Sequence, residues 1–318
     1  MSQYYPEKQP DQQITNWAGL NVLITGGSGF IGSHLCHRLS TEGCAVHVTS
    51  RQIVSCSTTQ NITWWQADLA DLAETRHLLT KIKPDIIFHL AGAVGASPDL
   101  NLVLPTYHSL LTSTINVLLI ATELGCKRVV LTGSLTEPRN HAEPTPQSPY
   151  AAAKWAAGGY TRMFHTLYDT PAVILRPFMT YGPAQAPSKL IPSVILSLLR
   201  GEAPKLSSGK TQADWIYIAD VIEGFLRAGT ASGILGHTID LGTGKLDSIF
   251  SIVEQIIAIM ESPIKPLYGA LPDRPGENEI AAATVSAFEL IGWKATTTLE
   301  QGLRQTVEWY KAKASGHA

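Results

Sequence analysis

Apolar positions along the first half of the chain fall into two alternating patterns. Short, almost unbroken runs occur at Leu20–Thr25 (LNVLIT), Ala45–Thr49, Ile62–Gln66, Asp85–Leu90 (DIIFHL), Arg128–Thr132 (RVVLT) and Ala172–Leu175. Between them lie stretches with helical spacing: Ile31 to Gly43, Leu72–Lys83, about Pro105–Leu124 and about Pro149–Tyr168. A run without polar alternation predicts a strand buried on both faces, and helical spacing predicts the helices that cover it. The order predicts a doubly wound α/β fold on a parallel Rossmann sheet, with ligands at the carboxyl ends of the strands.

From Arg176 onward the pattern loosens, and Pro and Gly recur in RPFMTYGPAQAP, GEAP, SPIKP and LPDRPGE. Strand-like pieces remain at Asp214–Ile218 and Thr238–Leu241. We expect residues 1–176 to form an NADP-binding Rossmann domain, with a return of the chain to it over about 214–244. Residues 177–318 should form a smaller, irregular α+β substrate domain, and residues 1–15 a loose arm with little to bury.

Composition narrows the classes. Apolar residues make up 44% of the chain, which argues against disorder. A net charge of −2 gives no overall field favouring nucleic acid or an anionic membrane. Cys36, Cys44, Cys56 and Cys126 have no metal-type spacing and read as free thiols. No signal peptide or bilayer-spanning run is evident, so the expectation is a soluble, cytoplasmic protein without a metal.

The first chemical motif is T25-G-G-S-G-F-I-G32, between a strand and a helix. Gly26, Gly29 and Gly32 allow a tight turn whose backbone N–H groups approach a pyrophosphate at the helix N-terminus. The second strand ends in V48-T-S-R51, without the acid that would bind a ribose 2′-hydroxyl. Ser50 and Arg51 can instead hold a 2′-phosphate, which predicts NADP, with NAD the alternative. Asp68, after the third strand, fits either an adenine contact or a helix N-cap.

Tyr150 and Lys154 form Y-A-A-A-K and share one face of a predicted helix. A nearby ammonium stabilises a phenolate, so the pair suits proton transfer. Ser134 lies just past the strand RVVLT, where a hydroxyl can hold a substrate oxygen; Thr132 and Thr136 are nearby alternatives.

These pieces together resemble the extended short-chain dehydrogenase/reductase family of NAD(P)-dependent epimerases, dehydratases and reductases, which act largely on nucleotide-sugars. The resemblance rests on TGGSGFIG, HLAG at 89–92, TGSLT at 132–136, YAAAK at 150–154 and RPFMTYGP at 176–183, and continues through WIYIADV, DLGTGK, RPGE and LIGW. It implies Ser134, Tyr150 and Lys154 as the catalytic trio. It places Gly26, Gly29, Phe30, Ile31, Arg51, Asp68, Leu69, Leu90, Ala91 and Lys154 around the cofactor, with the backbone near Pro177 closing its nicotinamide end. It also implies a homodimer through the helices at about 105–124 and 149–168.

The chain departs from the family pattern at several positions. Dehydratases of the family carry Asp-Glu directly after the catalytic hydroxyl; here Leu135-Thr136 follows, and Glu137 comes one position late. Met179 stands where Asn is usual and Ala213 where an Arg would grip the diphosphate. Thr136, Met179, Lys189 and Arg274 are the candidate substrate residues, with Lys210 a further phosphate candidate. The expected activity is an NADP(H)-dependent 4-ketoreductase of a nucleotide-sugar. The alternatives are an epimerase that retains its cofactor, a reductase of a ketone or aldehyde carrying no nucleotide, and, behind these, a non-catalytic NADP(H) sensor on the same fold.

Overall fold

The computed structural model describes residues 14, 16–52, 61–92, 95, 97–139, 145–273 and 279–316. Cys56, Arg274 and the expected N-terminal arm, apart from Ile14, lie outside them. The first elements are β1 (Asn21–Thr25), α1 (Phe30–Leu39), β2 (Ala45–Ser50), β3 (Ile62–Gln66), α2 (Leu72–Ile82) and β4 (Ile86–His89). A mixed helical stretch follows: a 3-10 turn at Leu100–Leu102, α3 (Val103–Thr106), a π-helical segment at Tyr107–Thr112 and α4 (Ser113–Leu124). Then come β5 (Arg128–Thr132), α5 (Pro149–Tyr168), β6 (Ala172–Pro177), β7 (Met179–Tyr181), α6 (Leu190–Leu199), β8 (Gln212–Ala213) and β9 (Trp215–Tyr217). The chain ends with α7 (Ile218–Thr230), β10 (Thr238–Leu241), β11 (Asp247–Ser248), α8 (Ile249–Met260), α9 (Thr284–Ile291) and α10 (Leu299–Ala314).

The main sheet has the order β10-β6-β5-β4-β1-β2-β3. The ladders joining β1 to β6 are all parallel. The bonds from Ile174 N–H to His237 O and from Phe178 N–H to Leu241 O climb in the same direction, so β10 extends the parallel sheet. This is the doubly wound sheet that the apolar runs predict. The strand order reverses between β1 and β4, which opens a crevice at their carboxyl ends.

Alternate side chains of the strands serve opposite faces. Leu23, Ile87, Val129 and Ile174 meet Leu78, Leu79, Val117, Ala121 and Phe164 from α2, α4 and α5. Phe88 points the other way and packs against Phe225 of α7 and Trp17. The fully buried Arg128 reaches the end of α7, donating to the carbonyls of Ala228 and Ala231 at 3.0 and 2.8 Å. A cation on helix-terminal carbonyls completes bonds those carbonyls lack within the helix.

The helix expected from about Pro105 begins earlier and is not uniform. Ser113 Oγ donates to Ser109 O at 2.7 Å, and Thr114 Oγ1 to Leu110 O at 2.6 Å. Such bonds supply partners for carbonyls where the helical ladder shifts. By length and composition, Leu100–Leu124 meets the requirement for a membrane span, contrary to the expectation that no stretch would. Its residues Val117, Leu118, Ile120 and Ala121 belong to the core just described.

The chain divides into two compact units. The first comprises Met1–Arg176, Ile222–Ile239 and Ser286–Trp293; the second comprises Pro177–Val221, Asp240–Val285 and Lys294–Ala318. In the second unit β7 pairs in parallel with β9, and β8 pairs antiparallel with β11. The strand-like piece at Asp214–Ile218 therefore lies outside the main sheet. Asp214, almost fully buried, accepts bonds from Thr243 N–H, Thr243 Oγ1, Gly244 N–H and Ala282 N–H within 3.0 Å. One carboxylate thereby gathers three separated stretches of this unit.

Candidate active site

The glycine turn sits at the reversal of strand order. Gly26 has φ +71°, and a Cβ there would stand 2.8 Å from both N and Cα of Ala91. Side-chain-free backbone is what allows the β1 and β4 ends to come this close. Thr25 locks the same junction: its Oγ1 accepts from Leu90 N–H and Ala91 N–H, both at 3.1 Å, and bonds His89 Nδ1 at 2.9 Å. At Gly32 a Cβ would lie 2.3 Å from the Gly26 carbonyl, so α1 packs directly on the turn. Gly29 caps α1 with no side-chain hydrogen bond and no acid in the first turn, and Phe30 and Ile31 open the helix. Leading N–H groups without a capping side chain, above a cradle that a Cβ would fill, fit a pyrophosphate.

Other predicted cofactor residues line the neighbouring strand ends. Ser50 closes β2, and Arg51 is exposed beyond it, with its carbonyl accepting from Gln66 Nε2 at 3.2 Å. Asp68 is not the cap of α2; Asp71 is, accepting from Glu74 N–H at 2.9 Å. The Asp68 carboxylate instead closes a turn on Ala70 N–H at 3.0 Å. Leu69 is buried, and its carbonyl accepts from Asn116 Nδ2 at 2.9 Å.

Ser134, Tyr150 and Lys154 come together in the first unit. Ser148 caps α5 by accepting from Ala151 N–H at 3.1 Å, and Pro149 occupies the first helical position. This start places Tyr150 and Lys154 on the first turns of α5. The Ser134 hydroxyl is near enough to the Tyr150 phenol to lower its proton affinity and lies 2.9 Å from Thr136 Oγ1. Lys154 Nζ donates to Thr132 O at 2.6 Å. Thr132 thus contributes its carbonyl, and Thr136 supports the Ser134 hydroxyl.

Burial sets the proton affinities. It pushes the Tyr150 phenol up; the nearby Ser134 hydroxyl lowers it and the Glu137 charge raises it further. Burial depresses Lys154 to about 8, opposed by the Glu137 charge. His89 is held down at about 3, first by burial and then by the Lys154 charge, so its ring is neutral between Thr25 and Thr114. Among the described residues no three His, Cys, Asp or Glu side chains gather as a metal site.

The sequence treats Glu137 only as a misplaced dehydratase acid. In the structure its carboxylate turns back and accepts from Ser134 N–H at 2.5 Å. Thr25 and Glu137 are the site features that the motifs alone do not mark. A hydroxyl directly before the first glycine and an acid three residues after Ser134 were the available signals.

Pro177, Met179 and Lys189 belong to the second unit. Pro177 ends β6, Met179 opens β7 with its side chain 37% exposed, and Lys189 precedes α6. Met179 N–H donates to Asp214 O at 2.9 Å, which fixes the start of β7.

Comparisons with known proteins agree with this arrangement. The family model for the NAD dependent epimerase/dehydratase family matches residues 22–242. A UDP-glucose 4-epimerase of Mycolicibacterium smegmatis is 29% identical, over 93% of this chain and all of the relative. A dTDP-glucose 4,6-dehydratase of Neisseria gonorrhoeae is 27% identical, over 91% of this chain and 95% of its own length. The solved UDP-glucose 4-epimerase of Thermotoga maritima, holding UDP-glucose, shares the fold with a TM-score of 0.85 and 24% identity, over 93% of this chain and all of that one.

Proposed function

The chain belongs to the NAD-dependent epimerase/dehydratase family, and on that premise we propose that it is a nucleotide-sugar 4-epimerase that keeps its nicotinamide cofactor bound. The observation that carries this is the gathering of the Ser134 hydroxyl, the Tyr150 phenol and the buried Lys154, anchored on the Thr132 carbonyl, with Leu135 and Thr136 where a dehydratase would carry its acid pair. The full-length likeness to a 4-epimerase supports it. The epimerase reading therefore takes precedence over the 4-ketoreductase expected from sequence.

Each residue has a defined task. Gly26, Gly29, Phe30 and Ile31 hold the cofactor's diphosphate at the α1 N-terminus. Asp68 and Leu69 line its adenine end, and Leu90, Ala91 and Pro177 its remaining length. The bound cofactor supplies the hydride acceptor and donor. Ser134 Oγ holds the reacting oxygen of the sugar, and Tyr150 removes and returns its proton. Lys154, anchored on the Thr132 carbonyl, keeps a positive charge on the same helix face and favours the phenolate. Thr136, Met179, Lys189 and Arg274 are assigned to the substrate. Because the proton and hydride return, the cofactor is not consumed. Conversion of a UDP- or dTDP-sugar to its C4 epimer without net cofactor turnover tests this; stoichiometric oxidation of NADPH would refute it.

A second reading is favoured by one observation. No acid ends β2, and Arg51 is exposed beside Ser50, an arrangement that suits a 2′-phosphate. On this reading the cofactor is NADPH and the reaction a net 4-ketoreduction. The phenol, held protonated by burial, would then act as the proton donor to the substrate oxygen.

We also infer a homodimer. Leu100, Leu104 and Tyr107 on the α3 side, and Trp155, Tyr160 and Leu167 on α5, are large apolar side chains left exposed. A second copy of the same surface would cover them around a two-fold axis. Sedimentation equilibrium should give twice the chain mass; a monomer at micromolar concentration would refute the pairing.

A further inference from the structure

Glu137 is a carboxylate only 6% exposed, and the proposed reaction does not yet use it. It is tied to Ser134 in both directions: Ser134 N–H donates to Glu137 Oε1 at 2.5 Å, and Glu137 N–H to Ser134 O at 3.3 Å. Gly133 leaves room for its carboxylate, and Gly158 borders it at ordinary contact distance. A Cβ at Gly133 would lie 2.7 Å from Oε1, and one at Gly158 would lie 3.8 Å from Oε2. The charged groups facing it come from each neighbouring element: Arg176 from β6, Lys154 from α5, and Arg139 from the loop after β5. Tyr150 feels its charge from the first turn of α5, and Arg162 borders the same glycine at 158.

We infer that Glu137 is the positioning residue of the proton-transfer site, fixing the Ser134 turn and holding a negative charge beside the Tyr150–Lys154 pair. This rests on the assignment of Ser134, Tyr150 and Lys154 as the proton-transfer groups. Burial raises the proton affinity of this carboxyl above the usual carboxylate range, and the Ser134 N–H with the charges of Arg176, Lys154 and Arg139 opposes that rise and favours the ionised form. Its two effects are separable. As a hydrogen-bond acceptor it fixes the backbone that carries the Ser134 hydroxyl. As a charge it opposes ionisation of the phenol and favours the ammonium of Lys154. An ion pair serving stability alone would have neither effect on the proton chemistry.

Glu137→Gln keeps the shape and an acceptor oxygen but removes the charge. The test that needs no substrate is an ultraviolet titration of tyrosinate in the full chain. Tyr150 is isolated as the difference between wild type and Tyr150→Phe, and again between Glu137→Gln and the Glu137→Gln/Tyr150→Phe double variant. The Tyr150 transition should move to lower pH in Glu137→Gln; an unmoved transition overturns the inference, whatever reaction the protein performs. With any nucleotide-sugar that is turned over, Glu137→Leu should lower kcat by about tenfold or more with KM little changed, and Glu137→Gln should restore most of it. Full kcat in Glu137→Leu overturns the positioning role. Should Glu137→Leu fail to fold, the Glu137→Gln titration decides alone.

Discussion

Replacing Gly26 by Ala tests whether the close approach of β1 and β4 builds the cofactor cradle. Two costs arise. Alanine at φ +71° pays about 1–2 kcal/mol for the left-handed conformation. Its Cβ would also lie 2.8 Å from Ala91 N and Cα and 3.0 Å from Leu90 C, all backbone atoms that cannot swing aside. Forcing packed groups apart costs a further ~1–3 kcal/mol. Gly125 is the control: φ is +67°, and nothing lies within 4 Å of its Cβ position, so only the first cost applies. In thermal unfolding, Gly26→Ala should lower Tm by roughly 5 °C and Gly125→Ala by roughly 2 °C. Shifting Leu90 and Ala91 also breaks their bonds to Thr25 Oγ1. Calorimetric titration should therefore show NADH binding weakened by about tenfold or more in Gly26→Ala and unchanged in Gly125→Ala. Equal losses of Tm in the two variants, or wild-type affinity in Gly26→Ala, would show that the close approach of β1 and β4 does not build the cradle.

Lys154 gives a pH-dependent test. Its pKa falls from 10.5 to about 8 on folding, chiefly through burial, so between those values the unfolded chain binds more protons than the folded one. Its contribution to stability therefore rises with pH across that window. Lys154→Met should have its most favourable Tm relative to wild type near pH 7 and lose that advantage as pH rises above 8; a Tm difference constant with pH would count against a buried, charged lysine. Arg51→Asp should weaken NADPH far more than NADH in parallel titrations, and equal loss of both would remove the 2′-phosphate assignment.

The fold was legible because strands buried on both faces must be continuously apolar, and LNVLIT, DIIFHL and RVVLT are nearly so. The glycine turn was legible because β1 and β4 cannot meet there with a side chain between them. Other features depend on partners distant in sequence. Asp214–Ile218 has strand-like composition, yet it pairs with Met179–Tyr181 and not with the main sheet. Asp68 and Asp71 are equivalent candidates in composition; the α2 register selects Asp71 as the cap. The return of Ser286–Trp293 to the first unit carries no local mark. Tyr150 and Lys154 stood out by spacing, whereas Glu137 acquires its role only when the turn after β5 folds back on Ser134.

The most direct measurement is an NMR time course of UDP-glucose, and of dTDP-glucose in parallel, with the purified full chain and with Tyr150→Phe. A cofactor-retaining 4-epimerase gives the C4 epimer in the wild-type reaction, no net change in added NAD(P)H, and no conversion by Tyr150→Phe. A 4-keto-6-deoxy product, stoichiometric consumption of NADPH, or unchanged turnover by Tyr150→Phe would contradict that assignment.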